Sequence, residues 1–182
     1  MGTNCCIIDF CKSSDTEKVS VKLTFSRKEL LYDIKNYAYI EGHVMGEEHQ
    51  HAQHTIVDIA EEGNVDRVTR ILNLTYASVV EMLYFFTKEE VVSEELNDIL
   101  DEPENYVLNL EVPKSFSRTS VNLLAQLIHE FMVCRVLYDW LSITNPNAAR
   151  KWYENSEEAK DRINTIKHSR TSAFTRKIRT PF

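Results

Sequence analysis

The chain has 182 residues, of which 43% are hydrophobic and 27% charged, with a net charge of −7. That balance supplies enough apolar material for one cored domain and excludes a disordered or fibrous chain. Four glycines and four prolines are few, which favours long helices over a turn-rich β fold. The four cysteines, Cys5, Cys6, Cys11 and Cys134, show no paired C-x2-C spacing and read as reduced thiols of an intracellular protein. No charge-free apolar run of about 18 residues occurs, so no membrane-spanning helix is expected.

In chain order, residues 1–17 read as a terminal arm with a short apolar patch from Cys6 to Phe10. The opening MGTNCC lacks the Ser or Thr that an acylation signal places sixth. "KVSVKLTF" then alternates: Val19, Val21, Leu23 and Phe25 share one face, the pattern of a half-buried strand. "SRKE" places Ser26 as N-cap with Glu29 three residues on, a capping box that opens a helix through "LLYDIKNYAYIEGH". "GHVMGEEHQHAQH" interrupts as a loop or frayed helix end.

A helix is predicted from about Asn64 to Thr87, with Val65, Val68, Leu72, Tyr76, Val79, Leu83 and Phe86 forming one apolar stripe. "KEEVVSEELNDILDEPE" carries eight acidic residues and one lysine, and reads as a solvated connection. "NYVLNLEV" alternates again and ends at Pro113, making it the antiparallel partner of the first strand; such a ribbon must lie on helices. Between the two copies of Phe-Ser-Arg, at 25–27 and 116–118, there is a weak internal echo on which nothing rests.

From Thr119 to Ile143 the sequence is apolar nearly all round, the mark of a buried helix. "TNPN" breaks it; Asn145 caps and Pro146 suits the first position of a final helix with the stripe Ala149, Trp152, Ser156, Ala159, Ile163 and Ile166. The expected fold is therefore mainly α: a bundle of about four helices with a small two-stranded β-ribbon and extended termini. Its parts are an arm at 1–17, the bundle at 18–167 and a tail at 168–182.

Catalytic chemistry finds little support. His49, His51 and His54, beside Glu47 and Glu48, are the candidate metal ligands, but the segment lacks the framing of a structural site and reads as solvated histidines. His129–Glu130 misses the H-E-x-x-H pattern because Val133 stands fifth, leaving a buried histidine paired with a neighbour. Cys134 reads as core, and Arg135 and Asp139 sit at i, i+4, within reach of one another. No phosphate-binding glycine loop and no G-x-S-x-G elbow occurs. The expectation is a protein without catalytic activity, cofactor or metal.

The last stretch is unlike the rest. From Lys167 onward it carries Lys167, Arg170, Arg176, Lys177 and Arg179 with no acid, which leaves about −12 on the body. Phe174, Ile178 and Phe182 recur every four residues as apolar anchors. Without base-stacking aromatics between the charges, this is a poor nucleic-acid tag on an acidic body. It reads instead as a protein-docking arm in which Arg170, Phe174, Arg176, Lys177, Ile178, Arg179 and Phe182 meet an acidic partner.

The stretch "LIHEFMVCRVLYDWLSITNPNAARKWYENSEEAKDRI" joins a long apolar helix, a Trp near its end, a Thr-Asn-Pro break and an A-x-x-W amphipathic helix. In this pattern, from about Ser117 to Lys167, it resembles the C-terminal hairpin of head–tail connector (adaptor) proteins of tailed phages infecting Bacteroides-type hosts, including crAss-like phages. The resemblance implies a virion protein, assembled in the host cytoplasm as a homo-oligomeric ring below the portal. It implies a C-terminal extension docked on the portal or adjacent tail proteins, DNA passing without sequence-specific binding, and no membrane. The His-rich loop and the acidic connection lie outside the pattern. The alternative is a soluble intracellular adaptor that binds an acidic protein through the basic tail.

Overall fold

The computed structural model describes residues 6–11, 18–44, 50–89, 102–114 and 116–168. The elements are β1 (Cys6–Cys11), β2 (Lys18–Ser26), α1 (Arg27–Val44), α2 (Gln50–Val57), a 3-10 turn (Asp58–Ala60), α3 (Glu62–Met82), α4 (Tyr84–Thr87), β3 (Asn105–Pro113), α5 (Arg118–Thr144) and α6 (Pro146–His168). The molecule is mainly helical with a small antiparallel sheet. Four long helices, α1, α3, α5 and α6, make the body.

Alternation places the sheet. Val21, Leu23 and Phe25 on β2, and Tyr106, Leu108, Leu110 and Val112 on β3, are all buried. They face one another in register as Val21↔Leu110, Leu23↔Leu108 and Phe25↔Tyr106. The expected ribbon is thus present, and it gains a third strand: β1 pairs antiparallel with the other edge of β2, giving the order β1-β2-β3. The apolar patch of the arm is this strand. It gives partners to the N–H and C=O groups that a two-stranded ribbon leaves open on β2.

The sheet is tied to α3. Tyr76 Oη donates to the Val107 carbonyl at 2.6 Å, and Tyr106 Oη lies 2.7 Å from Asn73 Oδ1. Their rings meet at a tilt of 42°, with centres 5.2 Å apart. The helix predicted to Thr87 is broken at Leu83 (φ −101°, ψ 10°), and α4 adds one turn that ends at Lys88 in the left-handed region (φ 49°). The stripe survives the break, because Leu83 and Phe86 both stay buried.

α5 is the centre of the body. It has buried residues on every side, from Val121 to Leu141, and packs on α1, α2, α3 and α6. By length and hydropathy it would also suffice to cross a membrane, but here 61% of that apolar stretch is buried inside the molecule. Ser117 caps it, accepting from the Ser120 amide at 3.1 Å. Asn145 Oδ1 accepts from the Ala148 amide at 3.3 Å and starts α6 at Pro146, as the sequence predicts. Ala149, Trp152, Ser156, Ala159 and Ile163 are buried, so small residues let α6 lie close along α5. Both copies of Phe-Ser-Arg stand at strand-to-helix passages, before α1 and α5. The first amide of α1, on Arg27, donates to the Glu104 carbonyl at 3.1 Å, so its start is tied to the approach to β3.

Candidate interaction surface

The chemistry-bearing side chains of the interior serve the fold. Burial, with the Glu130 charge second, pushes the Cys134 thiol up to about 12, so it is a protonated core residue at neutral pH and not a nucleophile. His129 Nε2 lies 2.8 Å from Asp33 Oδ2 and donates to that carboxylate, joining α5 to α1. Its Nδ1 is buried without a partner among the described residues. Asp139 does not pair with Arg135. Arg67 reaches across from α3 to take it, at 2.7 Å, while Arg135 lies over the Tyr138 ring, 5.3 Å from its centre. A long-range partner on the neighbouring helix displaces the i, i+4 pairing along α5.

Of the two readings of the histidine segment, loop or frayed helix end, the described parts are helical: α1 runs to Val44 and α2 begins at Gln50. His54 is exposed on α2, whose last turn is fixed by Trp140 Nε1 donating to the Ile56 carbonyl at 3.1 Å. His51 lies on α2, but its side chain falls outside the described residues, as does all of His49. Upstream, His43 stacks on Tyr39 with ring centres 4.1 Å apart. Among the described residues no group of three His, Cys, Asp or Glu side chains converges.

Arg170, Phe174, Arg176, Lys177, Ile178, Arg179 and Phe182 all lie outside the described residues. What the structure places is their stem. α6 runs to His168, and Lys167 Nζ donates to the Met82 carbonyl at 2.6 Å. The tail therefore leaves the body beside the C-terminal end of α3.

Around that end α3 and α4 carry apolar residues that face water. Leu74 on α3 is 70% exposed, and on α4 Phe85 is 68% exposed and Tyr84 half exposed. A depression of about 390 Å³ is lined by Leu74, Ala77, Ser78, Glu81, Tyr84 and Glu89. A second depression of about 440 Å³ adjoins it, sharing Leu74, Ser78 and Glu81, and reaches Phe131, Arg135 and Tyr138 of α5 and Glu157 and Lys160 of α6. The first holds two carboxylates and no cation. Glu89 accepts from Asn109 Nδ2 at 2.8 Å, and among the described residues Glu81 is in no ion pair. The sequence carried a signal for this surface: Leu74, Tyr84 and Phe85 are apolar yet fall off the stripe that runs through Leu72, Tyr76, Leu83 and Phe86.

No family model, no curated protein and no solved structure matches the chain.

Proposed function

We propose that this chain is a non-catalytic structural subunit of a ring at the head–tail junction of a tailed phage, docking the portal through its basic C-terminal arm. The observation that carries the reading is the α5–α6 hairpin. The stretch that resembles connector proteins forms one buried 27-residue helix and one amphipathic 23-residue helix, joined at Asn145–Pro146.

Two further features support it. Ring subunits need two unlike faces that meet head to tail. Large apolar side chains stay exposed on two separate elements, Tyr32, Ile40 and Val44 on α1 and Leu74 on α3. The body's charge of about −12 also suits a wall past which DNA slides without being held.

The test is particle imaging of the purified chain, alone and mixed with a portal ring. The expected result is closed rings, or decoration of the portal, lost when residues 168–182 are deleted. A chain that stays monomeric and leaves the portal bare, with or without the tail, would sink the reading. A one-to-one complex with an acidic protein, weakened by salt, would favour the adaptor alternative instead.

A further inference from the structure

We infer that the α3 depression lined by Leu74, Glu81, Tyr84 and Glu89 is a seat for the chain's own basic C-terminal segment, residues 170–182, so that the free subunit stows its arm on its own body. This goes beyond the ring assignment and does not rest on it.

Three observations select that occupant. The first is chemical complementarity. The depression pairs exposed apolar surface, Leu74 and Tyr84, with two carboxylates that no cation neutralises among the described residues. The tail pairs Phe174, Ile178 and Phe182 with Arg176, Lys177 and Arg179 and carries no acid. The adjoining depression shares Leu74 and Glu81, but beyond them it adds Arg135 and Lys160. Its further carboxylates, Asp139 and Glu157, are already paired with Arg67 and Lys160, so a cationic segment is held better on the Glu89 side.

The second is where the tail begins. The Lys167–Met82 bond holds the end of α6 at the end of α3, one residue from Glu81 and two from Tyr84. The third is reach. The six residues from His168 to Phe174 span up to roughly 20 Å when extended. From Leu74 to Tyr84 along the helix is only about 15 Å. A tether of that length raises the local concentration of the tail to the millimolar range. Even a weak seat is then filled in cis before a neighbour's tail competes.

In the proposed seating, the anchors cover Leu74 and Tyr84 while the cations face Glu81 and Glu89. An assembly partner would then have to displace the arm, offering it a better acidic surface than its own body does.

The experiment uses the full chain with benzoylphenylalanine in place of Phe174, photolysed in dilute solution as an equal mixture of isotope-labelled and unlabelled protein. Mass spectrometry locates each crosslink and shows whether one chain or two made it. The expected crosslinks fall within residues 74–89 of the same chain. Their yield drops several-fold in Glu81→Lys, in Leu74→Asp, and at about 1 M salt, where the screening length shrinks to about 3 Å. Glu81 and Leu74 are exposed, so both variants keep the native far-UV spectrum. Combining Glu81→Lys with Arg176→Glu, Lys177→Glu and Arg179→Glu restores the yield. Crosslinks elsewhere on the body, crosslinks only between labelled and unlabelled chains, or a yield indifferent to charge reversal would overturn the seat. Particle images test the ring separately, so either idea can fail without the other.

Discussion

Trp140 Nε1 donates a buried hydrogen bond to the Ile56 carbonyl, 3.1 Å away and 84 positions earlier in the chain. It fastens the short α2 segment to the core helix, where Ile56 and Ile59 are also buried. Trp140→Phe keeps most of the ring volume but leaves that carbonyl without its donor. The expected cost is about 1–3 kcal/mol, read from the urea midpoint at unchanged slope. Hydrogen exchange should quicken first around residues 54–60.

Two ion pairs should behave very differently. Arg67–Asp139 is half in solvent at both ends, so Arg67→Ala should cost less than about 1 kcal/mol. Asp33→Ala removes the partner of a mostly buried imidazole whose other nitrogen already lacks one. That change should cost about 1–3 kcal/mol. Comparable losses in the two variants, measured by chemical unfolding, would contradict this ranking.

Alkaline pH should loosen the fold. Burial raises the Cys134 thiol from 9.0 to about 12, and burial with the Glu89 charge raises the Tyr76 hydroxyl above 10.0. In both cases the folded state holds its proton more tightly than the unfolded chain does. The stability this contributes is complete below the unfolded values and drains away as pH climbs through the folded ones. The melting temperature should therefore fall between about pH 9 and 12, and fall less steeply in Cys134→Val. Cys134 should also resist alkylation in the native protein and react once urea unfolds it.

Lys88 closes α4 with φ at 49°, a region that costs an L-residue about 1–2 kcal/mol. Lys88→Gly removes that strain and adds freedom to the unfolded chain. The net expectation is a gain of about 0.5 kcal/mol, visible as a higher melting temperature.

The four long helices were legible in the sequence because their periodicity is strong, whereas the short α2 and the break before α4 were not. The α6 stripe from Ala149 to Ile163, the Asn145–Pro146 start and the buried run of α5 follow from spacing alone. The antiparallel pairing of β2 and β3 was legible from their clean alternation, but the register that sets Leu23 opposite Leu108 was not, because a two-residue slip keeps the same faces. β1 was not legible as a strand: CIIDFC does not alternate, and only its pairing with β2 defines it. The Arg67–Asp139 pair was invisible for a related reason, since an i, i+4 rule sees one helix and the partner came from another. The depression beside Leu74 depends on how α3 sits in the body, which spacing along one helix does not reveal. The residues proposed from sequence as the docking arm lie outside the described part of the chain, so the fold places their stem and not their contacts.

The sheet also sets a timetable for synthesis. β2 is made well before β3, since Lys18 on it bonds Glu111, 93 positions later. Until β3 leaves the ribosome, Val21, Leu23 and Phe25 can find at most the β1 strand, and α1 through α4 must wait on an unfinished floor. Closing so long a loop is slow, and the apolar strand is open to wrong partners meanwhile. A nascent chain stalled before residue 105 should therefore bind chaperones strongly, and release them once Pro113 and the α5–α6 hairpin have emerged.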